Sequence, residues 1–288
     1  MATYIFTDPN TDMSVAANWT GGVEPAASDV GQVHTGSQAI TVGPDNDLNG
    51  LDFGPNFRGS FAGTVQVSGS TSPNAVPTLF VNSASSYMNF TAGAAGVDRA
   101  EIAPLSGEVR LVSGTFVTVL LFRGTLYVEG AATVTTIYNL GGTLTLATGA
   151  GTSTTLHHKA GLSIVKRNLT TANCDGGELR MVDNSEITTL NLNGGTFYFN
   201  SIKAGADPTA VTLGTATISG AGASFMIAGA RANPVATSVV VNAVPKYFQT
   251  RSGSVRLTAA ITNNVNATQE SDPAGGGGGG VFLGVTGW

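Results

Sequence analysis

The sequence predicts an all-β fold: a right-handed parallel β-helix with about 18 residues per coil and an irregular cap at each end. Three observations predict it. The composition is poor in charge and rich in glycine, the middle of the chain repeats two sequence landmarks, and the repeat is lost toward both termini. Each observation bears on a different part of the chain.

The composition favours short strands joined by tight turns. Of the 288 residues only 11% are charged, against a usual share of about 25%. Helical bundles and coiled coils need charged outer faces, which this chain does not supply. Glycine occurs 39 times, which is typical of a fold with many turns. A hydrophobic share of 42% is ordinary and argues against intrinsic disorder.

A glycine followed by an alternating strand recurs through the middle of the chain at intervals close to the predicted coil length. The landmark glycines are Gly107, Gly124, Gly142, Gly161, Gly177, Gly195 and Gly214. Alternation directs every second side chain into the coil. The predicted inward residues are Leu126, Val128, Leu144, Leu146, Leu179, Met181, Phe197 and Phe199.

A second landmark, rich in threonine, keeps the same period. It begins at Val117, Val134, Ser153, Leu169 and Ile187, each time a little more than half a coil after the preceding landmark glycine. Two independent markers with one period indicate a solenoid whose coils each carry two or three strands. The uneven spacing favours a right-handed β-helix over a left-handed hexapeptide helix. A β-sandwich remains the alternative, because it also places short strands at regular spacing.

The period divides the chain into four regions. We expect an N-terminal cap over residues 1–62, β-helix coils over 63–220, a C-terminal β cap over 221–274, and a polyglycine tether with an apolar docking arm over 275–288. Residues 63–67 and 78–81 are predicted to be early strands, and residues 83–103 a loop or short helix.

The N-terminal region carries a motif around Trp19. Asn18-Trp19-Thr20-Gly21-Gly22 is followed by Pro25 and Asp29, and later by Gly50-Leu51-Asp52-Phe53 and Phe57-Arg58-Gly59-Ser60. This progression resembles the entry module of β-helical bacteriophage virion proteins over residues 15–70. The general pattern of the coils is similar to that of these proteins up to about residue 220. The resemblance implies a buried Trp19 that caps the open end of the solenoid.

The C-terminus combines a flexible tether with an apolar peptide. Six consecutive glycines, residues 275–280, precede a segment that ends in Trp288. Polyglycine is a flexible linker, and large apolar groups are costly on a free tail. We expect the segment to dock as an added strand, on its own solenoid or on another subunit. The expected interface residues are Phe282, Leu283, Val285 and Trp288.

Charge is distributed unevenly along the chain. Residues 1–57 hold seven acids and no Lys or Arg, whereas residues 208–269 hold four bases and no acid. Opposite charges of this kind favour contacts between subunits or onto a scaffold, with ordinary solvated surface as the alternative. The basic residues are dispersed along the chain and do not form the basic patch that nucleic-acid binding requires.

Residues typical of catalysis or metal binding are sparse. The one candidate cluster combines Asp175, Glu178, Asp183 and Glu186 with the bases Lys166, Arg167 and Arg180, and we favour solvated ion pairs on the outer face as its explanation. His157 and His158 are adjacent, so on a strand they point to opposite faces and cannot hold one metal ion. Cys174 is expected to be a buried, inert thiol. We therefore expect no catalytic, metal or cofactor site and no enzymatic activity.

These features, with the resemblance, imply a structural virion protein: a capsid decoration (cement) protein on the capsid surface, made in the host cytoplasm. The expected partners are the major capsid protein and further copies of the chain in a homotrimer, with no nucleic acid and no membrane; no secretory signal is recognised at the N-terminus. A tailspike or tail-fibre module that binds or cleaves host surface glycan is the alternative. A bacterial β-helical adhesin is the second alternative.

Overall fold

The computed structural model shows a parallel β-solenoid of about ten turns. It describes residues 2–7, 10–27, 29–69, 76–85, 87–183, 185–201, 213–227, 235–249, 251–252, 255–256, 258–265, 269–270 and 282–283. The chain forms two compact units, Met1–Thr152 and Ser153–Trp288. The parallel pairing confirms the predicted β-helix and excludes the β-sandwich.

The described part of the first unit contains ten strands and one short 3-10 helix, Ala16–Asn18. The strands are β1 (Thr3–Ile5), β2 (Val30–Gly36), β3 (Ala39–Ile40), β4 (Gly50–Phe57), β5 (Ser60–Val67), β6 (Thr78–Val81), β7 (Tyr87–Ile102), β8 (Glu108–Leu121), β9 (Thr125–Asn139) and β10 (Thr143–Leu146). They stack in two columns. One holds β1, β2, β4, β6 and the C-terminal halves of β7, β8 and β9. The other holds β3, β5, the N-terminal halves of β7, β8 and β9, and β10.

The second unit repeats this two-column arrangement. Its strands are β11 (Ser153–His158), β12 (Leu162–Val165), β13 (Leu169–Cys174), β14 (Glu178–Asp183), β15 (Ile187–Leu192), β16 (Thr196–Ser201), β17 (Leu213–Ile218), β18 (Ser224–Ile227), β19 (Val235–Val241), β20 (Tyr247–Phe248), β21 (Arg251–Ser252), β22 (Val255–Arg256), β23 (Thr258–Asn263), β24 (Gln269–Glu270) and β25 (Phe282–Leu283). One column holds β11, β13, β15, β17, β19 and β23. The other holds β12, β14, β16, β18 and β20.

The core lies inside the coils and consists of the residues that alternation predicts. All eight predicted inward side chains, from Leu126 to Phe199, are fully buried. Because parallel strands of neighbouring coils are in register, like residues stack directly above one another. Phe197 lies between Leu179 and Phe225 in this way. Its ring centre is 5.5 Å from that of Phe225.

Coil length follows the predicted period only in the middle of the chain. Glu108 pairs with Thr125 and Thr125 with Thr143, so these two coils have the predicted length. Gly50 pairs with Thr78, so that coil is half as long again. Parallel pairing begins at Thr3 and reaches Asn263, on both sides of the region 63–220. Solenoid corners therefore tolerate long insertions without loss of the strand stack.

Two sequence expectations are wrong. Residues 83–103, expected as a loop or short helix, contain the long strand β7, which bends at a register shift between Thr91 and Val97. Gly96 lies in this bend with φ of 82°, a conformation that glycine adopts without strain. Gly214 does not continue the glycine landmark. Its strand, β17, pairs with β15 of the threonine column, and β18 is the strand that stacks on β16.

Candidate interaction surfaces

Trp19 lies buried at the N-terminal end of the first unit and is 2% exposed. Its indole N–H donates a hydrogen bond of 2.7 Å to the Met13 carbonyl oxygen. The ring meets Phe6 edge-on, with centres 5.2 Å apart. Gly31 of β2 makes room for it, because a methyl group there would lie 2.9 Å from the indole. These contacts make Trp19 part of the packed core rather than an exposed platform.

The expected C-terminal interface residues are described only in part. Phe282 and Leu283 form β25, which pairs antiparallel with Gln269 and Glu270 of the same chain. Val285 and Trp288 lie outside the described residues. The backbone of the apolar segment thus has a strand partner within its own chain.

Three acids of the candidate cluster form ion pairs on the outer surface, as expected, but Arg167 is only 4% exposed, so the expectation of a solvated outer-face residue is wrong for it. Asp175 pairs with Lys159, and Glu178 with Arg180. The hydrogen bond from Lys159, followed by one from Asn193, lowers the pKa of Asp175 below its ordinary value. Asp183 lies 3.6 Å from the Lys166 ammonium, and the backbone N–H of Glu186 bonds to the Asn168 side chain. This arrangement pairs Asp175, Glu178 and Asp183 with cations, and the described residues direct no group of three carboxylates at a common point.

Two of the remaining candidate groups for chemistry, His158 and Cys174, are buried in the coil interior, and His157 is half-buried. His157 and His158 point to opposite faces as predicted, and His158 is fully buried. The Ser163 hydroxyl lies 2.9 Å from its Nδ1, and burial lowers the pKa of His158 to about 4. Cys174 is also buried, which raises the pKa of its thiol to about 12. Neither His158 nor Cys174 is accessible to a substrate in the folded protein.

The outer face of the first unit carries a cluster of charged and aromatic residues around Arg110. Its guanidinium bonds to Glu108 on the same strand at 2.6 Å and to Glu129 on the next coil at 2.5 Å. These bonds raise the pKa of Arg110, with Glu108 as the largest cause. Arg110 also lies over the ring of its register partner Tyr127. The guanidinium therefore cross-links two coils.

An apolar patch occupies the other column of the first unit. We define it as Phe80, Leu120, Phe122 and Tyr138. Register pairing places Leu120 next to Tyr138 on adjacent coils, and Phe80 two coils from Leu120, with Glu101 between them on the intervening coil, where it pairs with Arg99. Phe122 directly follows the end of β8, two positions after Leu120. Phe80 is 42% and Phe122 43% exposed. Exposed apolar patches of this kind mark contact surfaces.

A groove of about 570 Å³ opens on the same unit. It crosses four successive coils, which corresponds to roughly 14 Å along the stack. Its lining is mixed, with hydroxyl, amide and carboxylate groups beside small apolar residues: Thr41, Asp45, Ala62, Thr64, Asn89 and Thr91. Gly43 keeps the wall close-packed, since a methyl group there would lie 1.8 Å from the Thr64 carbonyl oxygen.

The described residues hold no group of three or more His, Cys, Asp or Glu side chains arranged to bind a metal ion. Within the same ranges, none of the helices has the length and apolar character needed to span a membrane. In comparisons with known proteins, no family model, no curated protein and no solved structure matches this chain significantly.

Neither the apolar patch nor the groove is predicted from the sequence. Phe80 stands between Leu79 and Val81 in a predicted strand, so the inward phase of its neighbours already implied that Phe80 points outward. The position of Phe80 in one row with Leu120 and Tyr138, separated from Leu120 by Glu101, depends on coil lengths that no local pattern encodes. The groove depends on the same long-range register.

Proposed function

We propose that the protein is a structural component of a bacteriophage virion that decorates the capsid surface through protein–protein contacts. The apolar patch is the observation that carries this proposal. Burial of apolar surface against a partner is the main favourable term in most protein association. A stiff sheet presents the patch in one fixed geometry, which lowers the entropy lost on binding.

The composition of the surface supports a mechanical role. Arg110, Arg99, Arg180 and Lys159 are all paired with carboxylates on their own coils or on the next one. Such exposed pairs contribute little to stability individually. They leave these carboxylates paired rather than aimed at a substrate, so the proposal includes no catalytic step.

The phage setting rests on the resemblance of residues 15–70 to virion proteins. In that setting the partner is the major capsid protein, and further copies of the chain form a homotrimer. The protein is made in the host cytoplasm and stabilises the assembled shell by mass action, because it binds the assembled lattice and not free subunits.

A binding assay with matched variants tests the role of the patch. Phe122→Glu places a charge in the patch, and Ile261→Glu places one at a residue of the second unit that is equally exposed, 42% against 43%. Both variants should keep the wild-type melting temperature, since surface substitutions cost little. We expect Phe122→Glu to lose binding to phage heads assembled without this protein, and Ile261→Glu to bind as wild type.

Two outcomes of this assay would contradict the proposal. Equal binding of Phe122→Glu and wild type would remove the patch from the contact. Absence of wild-type binding to heads, with binding to tails or to host glycan instead, would replace decoration by the tailspike alternative.

A further inference from the structure

The groove of the first unit contains a carboxylate without a partner. Asp45 is exposed, and its side chain makes no hydrogen bond or ion pair with any residue that the structure describes. Its backbone N–H bonds to the Glu24 carboxylate at 2.7 Å, which brings a second negative charge to the same end of the groove.

The acidic residues near Asp45 have no basic residue close to them in the sequence. Asp12, which forms a bridge with Val42 in the groove wall, adds a third carboxylate. Its hydrogen bonds come from the Ser14 N–H and hydroxyl, which carry no net charge. Residues 1–57 contain no Lys or Arg. Arg110, the register partner of the lining residue Asn89, is already paired with Glu108 and Glu129. Asp45 is thus the charged side chain of the groove lining, and a recess with one sign of charge attracts the opposite sign.

The complementary charge lies in the same sequence. Residues 208–269 hold four bases and no acid. Lys246 is the base whose side chain the structure describes there, and it is exposed without an ion-pair partner among the described residues. It directly precedes Tyr247, which is 39% exposed, and Phe248, which is buried. A hydrogen bond of 2.8 Å from Lys246 N–H to Ala223 O fixes the backbone directly before β20, so Lys246 and Tyr247 both project from an anchored segment.

We propose that Lys246 of a second copy enters this groove and pairs with Asp45, with Tyr247 packed on the exposed Val42. The groove supplies the recess and the negative charge, and the second copy supplies an anchored cation with an aromatic neighbour. The contact joins two different surfaces of identical chains. It therefore closes a ring where the rotation permits and otherwise builds a filament. This contact is separate from the apolar patch, so it holds or fails independently of capsid decoration.

Charge reversal tests the pairing directly. Asp45→Lys and Lys246→Glu each place like charges in the contact and should raise the dissociation constant of self-association at least about tenfold. The double variant Asp45→Lys/Lys246→Glu restores opposite charges and should recover assembly. Arg58→Glu, an exposed change outside the groove, is the control for net charge and should assemble as wild type. Sedimentation velocity and native mass spectrometry measure the masses.

Melting temperature and salt dependence are measured for the same variants. The melting temperatures of all variants should match, which separates lost association from lost folding. Added salt should weaken wild-type association, because exposed charges are screened. A wild type that stays monomeric at about 100 µM, single variants that assemble like wild type, or a folded double variant that fails to recover assembly would each overturn the proposal.

Discussion

The guanidinium carbon of Arg110 lies 4.6 Å from the centre of the Tyr127 ring, and the two residues are register partners on adjacent coils. The second unit contains the same arrangement, with Arg180 at 5.6 Å from its register partner Tyr198. In both places a Glu two positions before the arginine bonds to it. The pattern Gly-Glu-x-Arg, followed one coil later by Tyr, thus links neighbouring coils on the outer face.

A double-mutant cycle measures this link. Arg110→Ala combined with Tyr127→Ala should give a coupling free energy of about 0.5–1 kcal/mol in urea unfolding, the usual range for an exposed cation–π pair. The Arg180–Tyr198 cycle should give less, because the distance is longer and Arg180 is more exposed. Arg123 bonds to Asn82 and Ala103, so a cycle of Arg123→Ala with Tyr127→Ala should be additive. Zero coupling for Arg110 would contradict the link.

Trp19 should contribute most of the stability of the N-terminal cap. Trp19→Ala leaves a cavity and should lower the free energy of unfolding by about 3–5 kcal/mol. Trp19→Phe should cost about 1–3 kcal/mol, because it leaves the Met13 carbonyl without its donor. Denaturant unfolding followed by circular dichroism measures both changes.

Gly31 provides a second, independent test of the same packing. Gly31→Ala forces a methyl group to 2.9 Å from the indole and should cost about 1–3 kcal/mol. Gly222 has no heavy atom within 4 Å of an added methyl group, so Gly222→Ala is the matched control and should be close to neutral. Equal stability of the two variants would show that the indole does not occupy this position.

His158 should make stability depend on pH. Burial lowers its pKa to about 4 in the folded state, against 6.5 for the free side chain, and the nearby Glu178 only partly opposes this. Between these values the unfolded chain binds the proton more readily than the folded chain. Stability from this group is therefore complete above about pH 6.5 and falls as the pH drops toward 4, by a few kcal/mol in total.

A variant series isolates this effect. His158→Leu should remove most of the decline between pH 6.5 and 4, whereas His157→Gln, on the outward face, should remove a smaller part, because burial lowers the pKa of His157 as well. Urea unfolding at several pH values measures the slope. An unchanged slope in His158→Leu would assign the pH dependence to other groups.

The core could be predicted from the sequence because it depends on local alternation. The phase of Leu126 and Val128, or of Phe197 and Phe199, follows from their immediate neighbours along the chain. The burial of His158 and the outward position of His157 follow in the same way. Composition alone disfavours helical bundles and coiled coils.

Coil lengths and surface neighbours could not be predicted in this way. Gly214 follows Gly195 at an interval that fits the period, yet Thr196 pairs with Ser224, so this coil is half as long again and Gly214 falls in the other column. Register is set by contacts between coils, which a local spacing does not contain. The apolar patch and the groove depend on that register, and therefore only the structure reveals them.

A density map of the intact phage particle that contains this chain tests the central claim most directly. The account predicts β-solenoids on the outer capsid surface, in a fixed ratio to the major capsid protein, with Phe80 and Phe122 facing capsid subunits. Solenoid density confined to the tail, or a patch that faces solvent on the capsid, would contradict it.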